Sequence, residues 1–322
     1  MYIVTGGAGF IGSAVVWKLN QMGIDDILVV DNLGKSEKWK NLVNRKYLDY
    51  VHKSKFLELL NHEHFGGIHA IIHMGACSST TERDSDYLYS NNFKFSKSIA
   101  EYAVNRGIRL INASSAATYG DGLTGFDDNE DSIEMLKPLN MYGYSKQIFD
   151  IWAKKSNLLD KIVSLKFFNV FGPNEYHKDD MSSVIYKSYN QIRESGKIKL
   201  FKSYKPNYAD GEQMRDFVYV KDCVEIIFKL IENPNVNGIF NIGTGRARTW
   251  NDLAKSVFKA MNVPVNIEYV PMPESIRDRY QYFTQAEMKK LNDSPCALNF
   301  TSLEIAAEDY IKNYLMKADM YL

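Results

Sequence analysis

The sequence is short of the features that mark secreted, membrane-bound or metal-binding proteins. It has three cysteines, which are scattered along the chain and include no CxxC pair: Cys77, Cys223 and Cys296. Such a set favours a reducing compartment over a disulfide framework or a structural zinc site. No apolar run approaches the roughly 20 residues that cross a bilayer. Strand-like residues 2–4 directly follow Met1, which leaves no room for a signal peptide. We therefore expect a cytoplasmic protein without a metal.

The sequence also lacks an excess of charge of either sign. Its 39 Lys and Arg residues balance 39 Asp and Glu residues. A chain without a global electrostatic field is not drawn to nucleic acid or to an anionic membrane, so neither is expected as a partner. With 322 residues, of which 45% are hydrophobic and 24% charged, it is large enough for one large or two moderate cores.

The first half of the chain alternates short β-rich segments with longer helical ones. This rhythm is typical of a parallel sheet that is covered by helices on both faces. The predicted strands are residues 2–5, 27–30, 47–51, 69–73, 109–113 and 162–167, and the predicted helices are residues 12–22 and 92–106. The sequence therefore predicts an α/β fold with a Rossmann-type, doubly wound parallel sheet.

The alternation weakens after residue 171. Residues 202–213 read as a polar loop, and residues 238–243 read as a late strand that again ends in glycine. We predict a dinucleotide-binding domain over residues 1–171 and a smaller α/β substrate lobe, mainly over residues 172–322. Because of the late strand, we expect the chain to return to the first domain near residues 215–245.

A glycine-rich segment after the first predicted strand has the form of a phosphate-binding turn. Gly6, Gly9 and Gly12 lie between this strand and the first predicted helix. Glycines at such a turn let backbone N–H groups at a helix N-terminus approach a pyrophosphate. The spacing is GxxGxxG rather than GxGxxG, and similar turns also join strands to helices without a ligand. The turn alone is weak evidence for a dinucleotide site.

The second predicted strand is followed by Asp31, about where an acid meets the adenosine ribose of NAD. Asn32, Lys35, Lys38 and Lys53 complicate that interpretation, since one or two lysines offset the acid and suit a 2′-phosphate. The alternative is that Lys38 and Lys53 belong to a solvated face, which is the more common fate of a lysine.

Two later segments carry residues suited to catalysis. Ser115 lies in residues 112–120, after a predicted strand, and Tyr142 and Lys146 lie where a helix begins. Tyr142 and Lys146 are four residues apart and therefore share a helix face. The ammonium group of Lys146 is expected to lower the pKa of the Tyr142 phenol from its usual value near 10. Tyr142 would act as a base while Ser115 holds the substrate hydroxyl and hydride leaves for a nicotinamide. YxxxK alone is usually a surface helix pair, but all three residues after a glycine turn indicate an enzyme.

These motifs resemble the extended short-chain dehydrogenase/reductase family over essentially the whole chain. Four segments, residues 75–82, 137–146, 168–173 and 243–247, resemble the members that invert C6 of an ADP-linked heptose in lipopolysaccharide inner-core precursor synthesis. The resemblance implies an isomerase, an ADP-heptose substrate and a homo-oligomer. It further implies NADP rather than NAD, at positions that match the family's cofactor contacts: Gly6, Gly9, Phe10, Ile11, Gly12, Asp31, Asn32, Lys38, Lys53, Met74, Gly75, Ala76, Cys77, Ser78, Asn91, Lys146, Val170 and Lys178.

Inversion of a secondary alcohol is served by two acid/base groups, because hydride leaves one face of the sugar and returns to the other. The resemblance assigns the second role to Lys178, although a lysine in a polar loop is otherwise simply exposed. The substrate contacts that follow from the resemblance and from the residue types are Asn169, Asp180, Lys187, Phe201, Arg215 and Tyr280.

Parts of the substrate lobe depart from the family pattern. Asp180 and Lys187 stand where the family commonly has Ser and His, and the loop over residues 202–214 is longer than expected. The planar guanidinium of Arg215 suits a diphosphate, but Arg215 beside Asp216 equally suits a structural ion pair.

Three other functions compete with this interpretation. A sugar-nucleotide dehydratase is disfavoured because Ala116 and Ala117 stand where the dehydratases have an Asp-Glu pair, and methyl groups move no protons. A UDP-hexose 4-epimerase would share Ser115, Tyr142 and Lys146, so only Lys178 and the narrower resemblance speak against it. A non-catalytic nucleotide sensor would not need a poised tyrosine.

Overall fold

A seven-stranded parallel sheet forms the centre of the structure, a computed structural model that describes residues 1–62, 64–277 and 280–322. The strands of the chain are β1 (Tyr2–Thr5), β2 (Ile27–Asp31), β3 (Asp49–His52), β4 (Ala70–His73), β5 (Arg109–Ser115), β6 (Val163–Phe167), β7 (Asn169–Phe171), β8 (Ile198–Phe201), β9 (Met214–Tyr219), β10 (Gly238–Ile242), β11 (Ala247–Thr249) and β12 (Ile267–Val270). The central sheet has the order β10-β6-β5-β4-β1-β2-β3, and its neighbours all pair in parallel. The predicted doubly wound α/β fold is confirmed.

Helices cover both faces of this sheet and build much of the second lobe. They are α1 (Phe10–Gln21), α2 (Lys53–Asn61), α3 (Ser85–Leu88), α4 (Phe95–Asn105), α5 (Met141–Lys155), α6 (Val184–Ser195), α7 (Val220–Glu232), α8 (Trp250–Met261), α9 (Glu274–Arg277), α10 (Lys289–Asn292) and α11 (Leu303–Tyr310). Short 3-10 helices follow at Glu37–Leu42, Ala116–Tyr119, Glu130–Met135 and Tyr176–Met181. Within the described ranges, every helix is too short or too polar to span a bilayer.

The strands of the sheet are buried on both faces, which explains their nearly continuous apolar sequences. All five residues of β2 are buried, for example. Predicted element ends differ from the observed ones by a few residues. α1 begins two residues before the predicted helix because Gly9 has an extended backbone and acts as its N-cap. α4 begins three residues after the predicted start because a π-helical turn, Tyr89–Lys94, precedes it.

The chain returns to the central sheet after it has built part of the second lobe. β10 pairs in parallel with β6, with Gly238 opposite Val163. α7, which precedes β10, packs against α1, and Lys18 forms an ion pair with Glu225 there. The central sheet therefore takes its strand β10 and the covering helix α7 from a segment that follows part of the second lobe.

The second lobe contains two small sheets and several helices. β8 pairs with β12 in parallel, whereas β9 lies between antiparallel β11 and parallel β7. α8 packs against α6 and α11. The loop predicted over residues 202–213 has no strand or helix. Since β7 directly follows β6, the two parts of the structure meet at the carboxyl ends of the central strands.

Candidate active site

The turn between β1 and α1 needs glycine at two positions. Gly6 has φ of +66°, and a Cβ there would lie 2.7 Å from the Cα of Gly75. A Cβ on Gly12 would lie 2.1 Å from the Gly6 carbonyl oxygen. Among the described residues, no side chain caps the N-terminus of α1, so its first N–H groups are available to an anion. The glycines leave open a space at the N-terminus of α1 that a Cβ would fill. The shape of this space fits the pyrophosphate of a dinucleotide.

Asp31 holds the glycine turn from the end of β2. Its carboxylate accepts hydrogen bonds from the backbone N–H of Ala8 at 2.9 Å and from that of Asn32 at 2.6 Å. Lys38 Nζ lies 2.6 Å from the same carboxylate. The acid is buried, so the ammonium group offsets its charge where water does not. The solvated-face alternative for Lys38 is wrong.

A cavity lies at the carboxyl ends of β1, β2 and β4, where ligands bind in doubly wound folds. Lys53 Nζ donates to Asn91 Oδ1 at 2.6 Å on its wall, so this lysine too is partly buried rather than fully solvated. The cavity brings together these predicted cofactor residues: Gly6, Asp31, Asn32, Lys38, Lys53, Gly75, Ala76, Cys77 and Asn91. Phe10 and Ile11 open α1 beside it, Met74 directly follows β4, and Ser78 is exposed in the next loop.

Two buried residues that support this region were missed by the sequence analysis. Asn92 accepts from the N–H of Cys77 at 2.8 Å, and it donates to the carbonyl of Cys77 at 2.9 Å and to Ser145 Oγ at 3.0 Å. It thereby ties the loop after β4 to α5. No sequence pattern separates it from any other helical asparagine.

His73, at the end of β4, is the other such residue. Its Nδ1 is bonded to Thr5 Oγ1, and its Nε2 lies 2.7 Å from Ser96 Oγ. Because the Ser96 hydroxyl donates to the carbonyl of Asn92, it accepts the Nε2 proton, and Nδ1 accepts from Thr5. Burial lowers the pKa of His73 to about 3. The ring is therefore a neutral clamp between β1 and β4.

The predicted Ser, Tyr and Lys residues meet where β5 ends and α5 begins. Asn140 caps α5 by accepting from the N–H of Gly143 at 2.8 Å. A Cβ on Gly143 would lie only 2.6 Å from the Ala117 carbonyl oxygen, so the absence of one lets α5 approach the turn after Ser115. The Ser115 side chain is close enough to the Tyr142 phenol there to act on its pKa. Ser115 also accepts from the N–H of Ala117 at 3.1 Å.

Lys146 differs from its expected role toward Tyr142. Its ammonium group donates to the carbonyl of Ala113 at 2.7 Å. Burial raises the pKa of Tyr142, and the nearby Ser115 side chain opposes that rise. The prediction that Lys146 lowers this pKa is therefore wrong for the structure described here, because the ammonium charge is directed at a backbone carbonyl. Burial also lowers the pKa of Lys146 to about 8.

Lys178 belongs to the second lobe and faces the glycine turn. Its Nζ is 5.1 Å from the ring centroid of Phe10. Burial lowers the pKa of Lys178, and the nearby carboxylate of Glu175 opposes this. Glu175 is itself buried and accepts from Ser183 N–H at 2.5 Å and from Ser183 Oγ at 2.7 Å. Lys178 is thus partly desolvated and held on a fixed segment, and its neighbour Glu175 was not predicted.

The departures from the family pattern lie beside this lysine. Lys187, on α6, donates to the backbone carbonyl of Asp180 at 2.5 Å. Its positive charge also lowers the pKa of Lys178. Asn169 and Val170 begin β7 at the same edge of the central sheet, and Asn169 is exposed.

Three of the predicted substrate residues form an aromatic and cationic cluster in the second lobe. The ring centroids of Phe201 and Tyr280 are 6.4 Å apart, and Arg215 Cζ lies 5.3 Å from the Tyr280 ring. Trp250, which was not predicted, donates from Nε1 to the Tyr280 hydroxyl at 2.9 Å. The Arg215 guanidinium donates to backbone carbonyls, those of Met214 and Gln281.

The alternative of an ion pair between Arg215 and Asp216 is wrong. Asp216 accepts instead from the N–H and the hydroxyl of Thr244, each at 2.7 Å, from the N–H of Gly245 at 2.9 Å and from that of Ala286 at 3.1 Å. The two neighbours point to opposite sides of β9, as consecutive strand residues do. Arg215 is therefore left with the aromatic cluster.

The chain resembles known proteins over essentially its whole length. A model of the NAD dependent epimerase/dehydratase family matches residues 2–243. The chain is 60% identical over 323 residues to the ADP-L-glycero-D-manno-heptose-6-epimerase of Nitratidesulfovibrio vulgaris strain DP4, with all of both chains covered. The structure resembles the ADP-L-glycero-D-manno-heptose-6-epimerase of Helicobacter pylori with a TM-score of 0.81 and 25% identity, over 97% of this chain and 95% of that one. Its likeness to the UDP-glucose 4-epimerase of Thermotoga maritima, with a TM-score of 0.76, 24% identity and 97% of each chain covered, concerns the fold alone.

Proposed function

Because the chain belongs to the NAD dependent epimerase/dehydratase family, we propose that it interconverts ADP-D-glycero-β-D-manno-heptose and ADP-L-glycero-β-D-manno-heptose. The observation that carries the proposal is the 60% identity, over the full length of both chains, to a relative named for this reaction. The residues proposed for the site include a hydroxyl that can orient the substrate, Ser115, and two acid/base groups, Tyr142 and Lys178. An epimerisation at C6 supplies a precursor of the lipopolysaccharide inner core, as the sequence resemblance implies.

NADP is the cofactor that the charges of the cavity favour. The carboxylate of Asp31 is already bonded to two backbone N–H groups and to Lys38, so it is poorly placed to serve a ribose hydroxyl as in NAD sites. Lys38 and Lys53 line the same cavity and together exceed the single acid in charge. A 2′-phosphate is the group that this balance attracts.

Tyr142, Ser115 and Lys146 are proposed to act at one orientation of the sugar. When bound, the nicotinamide supplies the hydride acceptor and donor for oxidation and reduction at C6. Ser115 orients the C6 hydroxyl and Tyr142 removes its proton. Lys146, buried four residues after Tyr142 on α5, donates to the carbonyl of Ala113 near the end of β5 and is proposed to hold the cofactor there.

Lys178 is proposed as the acid/base group for the other orientation. The ketone formed at C6 must turn before hydride returns to its opposite face, so the new hydroxyl points away from Tyr142. Lys178 faces the glycine turn from the second lobe, and its lowered pKa eases proton transfer near neutral pH.

The nucleotide end of the substrate is proposed to lie against Arg215, Phe201, Tyr280 and Trp250. Aromatic rings stack with an adenine, and the guanidinium suits a diphosphate. Asn169, Asp180 and Lys187 are proposed to contact the sugar. We further propose a cytoplasmic homo-oligomer. A reducing compartment suits the cysteines, which are free thiols: Cys77, Cys223 and Cys296.

The test is incubation of purified protein with ADP-D-glycero-D-manno-heptose, followed by NMR of the sugar protons. We expect signals of the second epimer to grow until the two reach equilibrium, and denatured protein to release NADP rather than NAD. A parallel sample with UDP-galactose examines the runner-up, a UDP-hexose 4-epimerase. Conversion of UDP-galactose with no change in the heptose would contradict the proposal.

A further inference from the structure

The catalytic face of α5 continues beyond the two predicted residues. Tyr142, Lys146 and Asp150 are spaced four apart, so their side chains follow one another on the side of the helix that faces β5. Asp150 is completely buried, and no step of the proposed reaction uses it. A buried carboxylate is costly unless charges and hydrogen bonds compensate it, so its partners indicate its role.

Asp150 is held by the two central strands beneath α5. Its Oδ2 accepts from Ser114 Oγ at 2.7 Å, and its Oδ1 accepts from Ser164 Oγ at 2.8 Å. Lys166 Nζ, on β6, lies 3.9 Å from Oδ2. Ser114 directly precedes Ser115, so the carboxylate of Asp150 fixes the end of β5, where the proposed catalytic serine lies.

Lys166 supports Ser115 from the other side. This lysine is also fully buried, and its Nζ donates to Thr118 Oγ1 at 2.9 Å. The Thr118 hydroxyl in turn donates to the carbonyl of Ser115 at 2.9 Å. A continuous chain of hydrogen bonds therefore runs from the buried ammonium group to the backbone of the catalytic serine.

The charges around this pair come from several elements. Lys166 on β6 lies 3.9 Å from the carboxylate of Asp150, and the charge of Asp150 also acts on Lys146, four residues earlier on α5. Asp128 acts on Lys166 from the segment before the 3-10 helix Glu130–Met135. His73 on β4 faces Lys146 but is neutral. The Tyr119 ring lies 4.4 Å from Lys166 Nζ. Asp150 is thus the negative charge that Lys146 and Lys166 have in common.

We infer that Asp150 and Lys166 are positioning residues of the active site, where Asp150 keeps Lys146 charged and Lys166 fixes Ser115 through Thr118. The inference rests on the proposed function, because it concerns the same serine, tyrosine and lysine. Each half predicts a different kinetic signature. Loss of Asp150 alters a charge, whereas loss of the Thr118 link alters a geometry.

The experiment compares Asp150→Asn and Thr118→Val with the wild-type protein. The charge of Asp150 raises the pKa of Lys146 against the effect of burial, so removal of that charge should lower this pKa further. We expect Asp150→Asn to move the alkaline limb of the kcat profile to lower pH by about one unit, a tenfold change in the protonation equilibrium. Thr118→Val should lower kcat roughly tenfold without moving the limb, less than the 10²-fold cost of a 1 Å misplacement. KM should stay within about twofold in both.

Asp222→Asn is the matched control, because Asp222 is another buried carboxylate that accepts two bonds from Thr301 far from the site. It should leave the pH profile unchanged. The double variant Asp150→Asn with Lys166→Met removes both buried charges, which guards against a single variant that fails to fold. It should keep the alkaline shift, whereas an unshifted limb in this folded double variant would contradict the role of Asp150.

A second measurement needs no substrate. Lys146 is a proposed cofactor contact, so pH-dependent release of bound NADP reports its charge. Asp150→Asn should release NADP at lower pH than the wild type and Asp222→Asn, and identical release curves would overturn the inference. Wild-type protein that binds NADP but leaves the heptose unchanged would instead contradict the proposed function. The two failures are therefore distinguishable.

Discussion

Two side chains carry opposite halves of the proposed reaction. Tyr142 lies on the first domain beside Ser115, and Lys178 reaches the glycine turn from the second lobe. Burial acts on both, raising the pKa of Tyr142 and lowering that of Lys178. Desolvation therefore favours the neutral form of each group. In that form Lys178 can accept a proton from a bound hydroxyl and Tyr142 can donate one to the opposite face.

Separate variants of these residues should affect the two epimers differently. Tyr142→Phe is expected to slow cofactor reduction from one epimer by about 10²–10⁴, the usual contribution of a general base, and Lys178→Met should do the same from the other. Single-turnover absorbance of the reduced nicotinamide measures each direction. Lys35→Met, an exposed lysine near the cavity, is the control. The assignment fails if both variants impair the same epimer equally.

α5 depends on one glycine for its position. The helix approaches the turn after Ser115 so closely that a Cβ on Gly143 would lie 2.6 Å from the carbonyl oxygen of Ala117. That contact belongs to the backbone and has little room to yield. The distance between the phenol and the serine is therefore set by how two backbones pack.

Gly143→Ala should separate α5 from the end of β5. We expect a loss of about 1–3 kcal/mol in the free energy of unfolding, typical of overpacking, and a fall in kcat that exceeds the change in KM. Denaturant titration and steady-state kinetics measure the two effects. Gly66→Ala is a suitable comparison because no atom of the described residues lies within 4 Å of its added Cβ. Equal kcat values for the two variants would refute this view of the helix.

The sequence predicts the elements of the first domain better than the support of its site. Apolar runs identify β1, β2 and β4 because a doubly covered sheet needs such runs. Asp150 was missed although its spacing from Lys146 indicates a shared helix face. Lys166 gave no signal, since a lysine in a strand usually points to solvent, and its partner Thr118 lies far away in the chain. Contacts between distant segments decide such cases.

The stability of the whole molecule should depend on pH through His73. The folded-state pKa of this clamp between β1 and β4 is about 3, below the unfolded value near 6.5. A lowered histidine pKa contributes stability that is complete above pH 6.5 and is lost as pH falls toward 3. At pH 5 the loss is about 2 kcal/mol.

Denaturation at pH 7.5 and pH 5 tests this dependence. Wild-type protein should lose about 2 kcal/mol more between the two pH values than His73→Gln, which has no imidazole to protonate. The Gln variant is expected to be less stable at pH 7.5, because it breaks the bonds to Thr5 and Ser96. If the free energy of unfolding changed equally with pH in the two proteins, His73 would not be the source of the loss of stability at low pH.

The late arrival of β10 affects how the molecule is made. β6 gains its outer neighbour only from Gly238–Ile242, after residues 168–237 have been synthesised. Until that strand leaves the ribosome, the nascent sheet ends in a buried-type strand with unpaired backbone groups, which is a template for association with other chains. A fragment cut at residue 171 retains this open edge and also lacks α7. The central sheet therefore becomes complete only once the chain has passed through part of the second lobe.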